Sequence, residues 1–527
     1  YNSKLILFKI INLYHMKKLL SVKLSTIYVN FPLLITFFLL MNTTGCTTVD
    51  QKDEGNTYVF KNATVIDAVN GLRAAQNVVV SGNKIVETGN VDETAVPRDA
   101  TVVDCSGKYL IPGLWDAHMH LTNSEVLLPA MFPLLTATGI TYIRDTAAEL
   151  KKILPLRAKA EEVAQSDGMA PRVFMIGPHM DSKNLIWSSS VSVVTPEQAE
   201  FIIDCLINAG VDELKVYDLL PRDIYFAVQS IANEKNYKLC AHVPFSVDAV
   251  EASNAGLDCM EHMGNLEFSC SGEWETLLEE RLKMLEEGSE KPGGQLRNEV
   301  YEAQRLRAFR SQDEERRDFV LKTLAANDTW QVPTLVITSQ EEHRIYATDD
   351  FKDTYRYLPE PLRSEWRNNA DSRAHKSPSE VGLAHSYWAY DMIPRLVKAG
   401  INIMAGTDMP LALLTPGFSL HEELALLVKY GLTPMQAIES ATLKPAEYYG
   451  LEDQQGSIAA GMMADLVILD ANPLEDIRNT LKINTVMRNG FLHTRDDLDD
   501  ILSQLEQYGE VKLKNNGQQL NSIFLCQ

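Results

Sequence analysis

Positive charge is what this chain of 527 residues has least of: 49 Lys and Arg stand against 71 Asp and Glu, a formal charge of −22. Neutralising a phosphate backbone needs clustered Lys and Arg, and nothing after the first fifty residues is basic, so nucleic acid is excluded as a partner. Cysteine is scarce as well. Seven are present, Cys46, Cys105, Cys205, Cys240, Cys259, Cys270 and Cys526. Their spacing gives neither a paired zinc motif nor a dense disulfide framework, which leaves most of them as small buried apolar residues. Long hydrophobic runs are missing beyond residue 45. The remainder, at 45% hydrophobic and 23% charged over the whole chain, has the composition of a globular protein with a large core.

The one apolar run lies near the start. Met16-Lys17-Lys18 opens a basic segment, Phe31 to Met41 is apolar, and Thr43-Thr44-Gly45-Cys46 follows. Residues 1–45 are read as a leader that resembles a bacterial lipoprotein signal, with Cys46 the lipidated residue. That implies an exported protein, periplasmic or anchored to the outer membrane, which meets the membrane only through its lipid. The rival reading is a single membrane anchor over Ile27 to Met41.

Short alternating runs with turn residues fill 56–108, and a matching set fills 456–495. Together they predict a small β-sandwich built from both flanking segments. Between them, over 109–455, strand-like runs alternate with helical patterns, the signature of βαβ units. The predicted strands are Ile111 to His118, Thr141 to Asp145, Arg172 to Gly177, Glu213 to Tyr217, Leu239 to Val243, Asp258 to His262, Trp330 to Val336 and Ile401 to Asp408. Eight strands predict an α/β fold, a (β/α)8 TIM barrel, which places its chemistry at the C-terminal strand ends. Residues 272–327, rich in Glu, Arg and Leu, read as a helical insertion covering the barrel mouth. Glu341 to His385 reads as a second polar helical stretch, and 496–527 as a tail with one helix.

With the strand ends marked, the polar residues on them become informative. His118 and His120 lie one residue apart, so their imidazoles project to one side of the first strand. Lys215 sits on the fourth strand, His242 closes the fifth, His262 the sixth and Asp408 the eighth. Six candidate ligands on five strand ends outweigh the plain reading of hydrogen-bonded core histidines. For Lys215 alone, an ordinary ion-paired lysine stays open.

The ordered motifs Pro112-Gly113-Leu114-Trp115-Asp116-Ala117-His118-Met119-His120, Lys215-Val216-Tyr217, Ala241-His242-Val243-Pro244, Glu261-His262 and Ala405-Gly406-Thr407-Asp408 resemble the amidohydrolase superfamily, specifically its imidazolonepropionase-like members. The likeness runs on through Ser419-Leu420-His421-Glu422-Glu423-Leu424 and Ala464-Asp465-Leu466-Val467-Ile468-Leu469-Asp470. It implies two divalent metal ions, with zinc suited to the His-rich set. His118, His120 and Asp408 would hold one ion, and His242 and His262 the other. Lys215, carrying carbon dioxide as a carbamate, would bridge the two. It further implies a hydrolase that cleaves an amide or cyclic amide carbon–nitrogen bond with a metal-activated hydroxide, Asp408 moving the proton.

The substrate expected is a small amide or peptide-like molecule. Arg144, His179, Tyr217 and His421 are candidate contacts to it, with Lys183 also near a strand end. For Arg144 an ion pair at the barrel mouth is the rival, and for His421 a role at a helix N-terminus. A Xaa-Pro dipeptidase or carboxypeptidase is the alternative activity. Family members of that kind often carry a tyrosine soon after the fifth-strand histidine, where this chain has Val243-Pro244-Phe245. A surface binding protein without turnover is a further alternative, disfavoured by the complete ligand set. Family members often dimerise, so the resemblance also implies self-association.

Overall fold

In the flanking segments, Leu110-Ile111 and Leu466-Val467-Ile468-Leu469 are apolar at successive positions, as central strands buried on both faces require, whereas the outer strands mix buried and exposed positions. The computed structural model describes residues 56–511, the side chains of 508–511 excepted. The leader, Cys46, Cys526 and the end of the tail lie outside the described residues. No described helix is long and apolar enough to cross a membrane.

Strands β1 (Thr57–Asp67), β2 (Gly71–Ser81), β3 (Lys84–Asn90), β4 (Thr101–Asp104) and β5 (Tyr109–Pro112) form one eight-stranded sheet with the strands of the other end, which are β15 (Leu466–Leu469), β16 (Ile483–Arg488) and β17 (Phe491–His493). The order is β17-β16-β15-β5-β1-β2-β3, with β4 parallel to β1. Alternation then splits the side chains. Leu110, Leu466 and Ile468 join Phe60, Val78 and Ile85 in a separate small core, whereas Ile111, Val467 and Leu469 face the main core.

Between these ends run parallel strands: β6 (Leu114–Met119), β7 (Ile140–Asp145) and β8 (Arg172–Met175) in a set of three, then β9 (Met180–Asp181), β10 (Val191–Ser192), β11 (Leu214–Val216), β12 (Leu239–Ala241), β13 (Cys259–Glu261) and β14 (Trp330–Val332) in a set of six. The fold is TIM-barrel-like α/β. The two sets are not joined by a continuous ladder, and the expected eighth strand, 401–408, is not regular strand. It nevertheless spans the gap. Gln331 of β14 bridges Ile403, Met119 of β6 bridges Met409, and Ala117 N–H donates to Ala405 O at 2.9 Å.

Three further strand boundaries differ from expectation. The predicted first strand breaks at Gly113, with Ile111 in the flanking sheet and β6 beginning at Leu114. The predicted third strand ends at Met175 and resumes as the two-residue β9. The seventh ends at Val332, because Glu423 accepts the N–H groups of Leu335 and Val336 at 2.9 and 2.7 Å and starts a helical turn at Leu335–Thr338. Gly113 is needed for closeness: a Cβ there would lie 2.1 Å from Thr141 Oγ1 on β7.

The insertion is three helices, Trp274–Glu287, Gly293–Arg310 and Glu314–Ala326, separated near Gly288 and Gln312. Its Leu296 and Val300 pack on Leu219 and Phe245, which follow β11 and β12. The five described cysteines are free, and only Cys205 is exposed.

Gly113→Ala is expected to cost about 1–3 kcal/mol through overpacking against β7. Denaturant unfolding should show a lower midpoint with an unchanged slope, and an unchanged midpoint would contradict the close approach.

Candidate metal centre

All six residues of β6, Leu-Trp-Asp-Ala-His-Met, are buried, and period-two geometry turns Asp116, His118 and the following His120 to one side. Asp116 fastens this strand to the eighth segment. Its carboxylate accepts from Thr407 Oγ1 at 2.6 Å, from Thr407 N–H at 3.1 Å and from His118 N–H at 3.2 Å. Burial pushes the Asp116 carboxyl up to about 7, against the opposing pull of those bonds. Gly406 permits the contact, since a Cβ there would fall 2.7 Å from the His118 backbone nitrogen.

The strand ends converge. His120 Nε2 lies 2.8 Å and His118 Nε2 3.4 Å from Asp408 Oδ1, and His262 Nε2 lies 4.0 Å from Asp408 Oδ2. The His262 ring is 4.4 Å from that of His118 and 4.7 Å from that of His242. Lys215, His120, His242, His262 and Asp408 line one cavity of about 370 Å³. Thus all six predicted ligands belong to one cluster, and His118, His120 and Asp408 are spaced to hold a single ion.

Hydrogen bonds set which ring nitrogens are free. His118 Nδ1 donates to Glu261 Oε2 at 2.5 Å, which turns Nε2 toward Asp408. His262 Nδ1 meets Thr334 Oγ1 at 2.6 Å; that hydroxyl gives its own proton to Pro333 O, so the imidazole must donate. His242 Nδ1 faces Asp218 Oδ1 at 3.4 Å. Each ring therefore presents Nε2 with its lone pair. Burial depresses His242 to about 4 and holds His262 well below its usual range, so both are neutral at pH 7. Burial alone would raise the Asp408 carboxyl, but His262, together with His118 and His120, holds it well below the usual carboxylate range.

These atoms fit divalent cations. His118 Nε2, Asp408 Oδ1 and Lys215 Nζ are buried without a hydrogen-bond partner, and Lys215 is 1% exposed. His118 Nε2, His120 Nε2 and Asp408 Oδ1 converge on one point, where a cation would take the place of the protons that the histidines share with the carboxylate.

Other expected contacts separate into two groups. His179 and Tyr217 line the cavity, with the Tyr217 ring 4.4 Å from the rings of both His179 and His242. Arg144 does not line it: its guanidinium is wholly buried, paired with Glu213 at 2.9 Å and Glu261 at 2.8 Å, and it donates to Ala117 O. It is a strut inside the barrel, because two carboxylates, Glu261 at the end of β13 and Glu213 just before β11, claim it. His421 is also removed from the cavity, held between Thr480 Oγ1 at 2.9 Å and Thr138 O at 3.0 Å. Lys183 is exposed and paired with Glu290.

Glu261, Asp218 and Thr334 escaped the sequence reading as supports. Strand alternation should send Glu261 and His262 to opposite sides, yet both reach His118. A left-handed backbone at His262 (φ 59°) and Met263 (φ 52°) breaks the alternation; Thr334 and Asp408 share that conformation. Asp218 also binds Arg297 of the insertion, Nε to Oδ2 at 2.5 Å.

The TIM-barrel-like fold gathers histidines, a lysine and an aspartate at its strand ends, and His118, His120 and Asp408 among them form a candidate cation site. A profile of the amidohydrolase family matches residues 389–492. The bottromycin amidohydrolase structure superposes with a TM-score of 0.66 at 21% identity, over 87% of this chain and 92% of that one. A Xaa-Pro dipeptidase with bound methionine superposes with a TM-score of 0.58 at 18% identity, over 83% and 100%. An adenine deaminase of Desulfatibacillum aliphaticivorans is 22% identical over 413 residues, 78% of this chain and 54% of that protein. The chain is thus similar to the amidohydrolase family over residues 389–492 and shares its fold with these hydrolase structures. It spans about half the length of the curated relatives that it matches over most of its own length.

Arg297→Met removes the cation that steadies Asp218 behind His242. Zinc affinity, measured by competition with a chromogenic chelator, is expected to fall about tenfold. Wild-type affinity in this variant would show that the Arg297 pairing does not reach the site.

Proposed function

We propose that this protein is a metal-dependent hydrolase of carbon–nitrogen bonds with a binuclear site. The observation that carries the reading is Lys215: a buried amine without a partner, on the same cavity wall as three histidines and an aspartate. An ammonium cannot ligate a cation and is costly to bury unpaired, whereas a neutral amine that has captured carbon dioxide offers two carboxylate-like oxygens. His118, His120 and Asp408 would then hold one ion and His242 and His262 the other, with the carbamate of Lys215 between them. Zinc suits these ligands, and residues 401–408 serve as the eighth barrel position.

Bound divalent ions lower the pKa of water and polarise a carbonyl oxygen. What the chain itself supplies is positioning and proton transfer. Asp408, kept ionised by its histidine neighbours, is ready to accept a proton and pass it to the leaving nitrogen. Glu261, Thr334 and Asp218 keep the three imidazoles facing the site. Tyr217 and His179 form the wall against which a substrate is oriented.

The activities named for the relatives, adenine deamination and dipeptide cleavage, both break a carbon–nitrogen bond. The dipeptidase alternative finds less support. Arg144 is committed to Glu213 and Glu261 and cannot receive a substrate carboxylate, and Phe245, near the position of the expected tyrosine, packs into the insertion. A lactam, an acyl amide or an amino-substituted ring fits the cavity better.

Asp408→Asn is expected to abolish turnover of any amide that the wild type cleaves, by at least about a hundredfold, while keeping most of the metal. Full activity in that variant would remove Asp408 from the proton's path. Lys215→Ala should lose both activity and metal, and added formate or acetate should restore part of the rate by standing in for the carbamate. Wild-type behaviour of Lys215→Ala would contradict the bridge.

A further inference from the structure

We propose that the cavity contains a subsite for a flat, aromatic group of the substrate, with the Trp187 indole as its platform. The inference rests on the hydrolase reading for the orientation of the substrate and names the group beside the bond that is cut. Trp187 is 45% exposed and lines the same cavity as His120, Lys215, His242 and Asp408. An indole left half in water forgoes the burial that usually stabilises so large an apolar ring. Its polar edge is already committed, since Nε1–H donates to Tyr217 Oη at 2.9 Å. The ring faces remain as its contact surface. Through Tyr217, whose ring lies tilted against those of His179 and His242, the indole is tied to a row of rings that leads to the candidate metal centre.

The platform is held from behind. Asn184 Nδ2 donates to Ser289 O at 2.6 Å, Lys183 pairs with Glu290 at 2.6 Å, and Ile186 packs with Leu219, Phe245 and Leu296. The insertion comes so near that a Cβ at Gly293 would lie 2.0 Å from Asn184 O. The loop that carries Trp187 is therefore braced before any ligand arrives, which lowers the entropic cost of stacking. Thr122, Asn123, Ser188 and Ser189 beside it carry no charge, and Glu149 and Lys152 on the rim lie 3.7 Å apart and offset each other. Such walls suit an uncharged flat ring.

The test separates flatness from mere apolar bulk. Metal-replete protein is titrated calorimetrically with N-acetyl-L-phenylalanine and with N-(3-phenylpropanoyl)glycine, each against its cyclohexyl analogue. Wild type should bind at least one phenyl compound about three- to tenfold more tightly than its analogue. Trp187→Leu should erase that preference and Trp187→Phe should keep most of it, with thermal unfolding showing that both variants are folded. Equal affinities in the wild type, no binding of any probe, or an undiminished preference in Trp187→Leu would overturn the subsite. Metal content and turnover of an amide library are measured on the same preparations. A preference that depends on Trp187 in a protein that cuts no carbon–nitrogen bond would leave the subsite standing and remove the hydrolase reading. Turnover without the preference would do the reverse.

Discussion

Polar atoms crowded together and buried at the strand ends are the constraint on which the centre of this protein depends. His118 Nε2, Asp408 Oδ1 and Lys215 Nζ are buried together without hydrogen-bond partners. Each such group costs about 1–3 kcal/mol while it stays unsatisfied. Cations bound there would satisfy all of them at once, so metal binding and the stability of the strand ends are expected to be linked. The surrounding ion pairs are arranged to the same end. Arg144 neutralises Glu213 and Glu261, Glu261 holds His118, and Arg297 balances Asp218 behind His242.

Regular strands alone would not assemble this site. Period-two alternation delivers Asp116, His118 and His120 to one side of β6, but Glu261 and His262 share a side only because His262 and Met263 adopt left-handed backbone. Asp408 does so as well, in a segment that makes single bridges to β14 and β6 and not a regular ladder. The departures from regular structure thus fall at the residues that face the cavity. The central strands of the flanking sheet, buried on both faces, and the packed helices provide the rigid surroundings that hold such conformations in place.

Much of this was legible in the residues themselves. The alternation of strand-like and helical runs gave the α/β architecture, and polar residues at the ends of apolar runs gave all six members of the cluster. What stayed hidden depends on distance in three dimensions. Arg144 sits near a strand end, as a substrate contact would, but Glu213 and Glu261 on distant parts of the chain capture it. His421 precedes two glutamates in a helix, and nothing in that spacing shows that Thr138 and Thr480 enclose its ring. Trp187 lies in a loop with no periodicity, so only the hydrogen bond to Tyr217 and the shared cavity distinguish it from any other tryptophan.

The insertion acts as a brace. It supports the Trp187 loop on one side and Asp218, which faces His242, on the other, so two parts of the cavity are steadied by the same helices. The central claim remains the pair of cations joined through Lys215, and metal content per chain tests it most directly. Elemental analysis of protein purified without chelator and supplied with zinc and bicarbonate should find about two ions per chain. One ion or none under those conditions would contradict the bridge and reduce the site to the His118, His120 and Asp408 position alone.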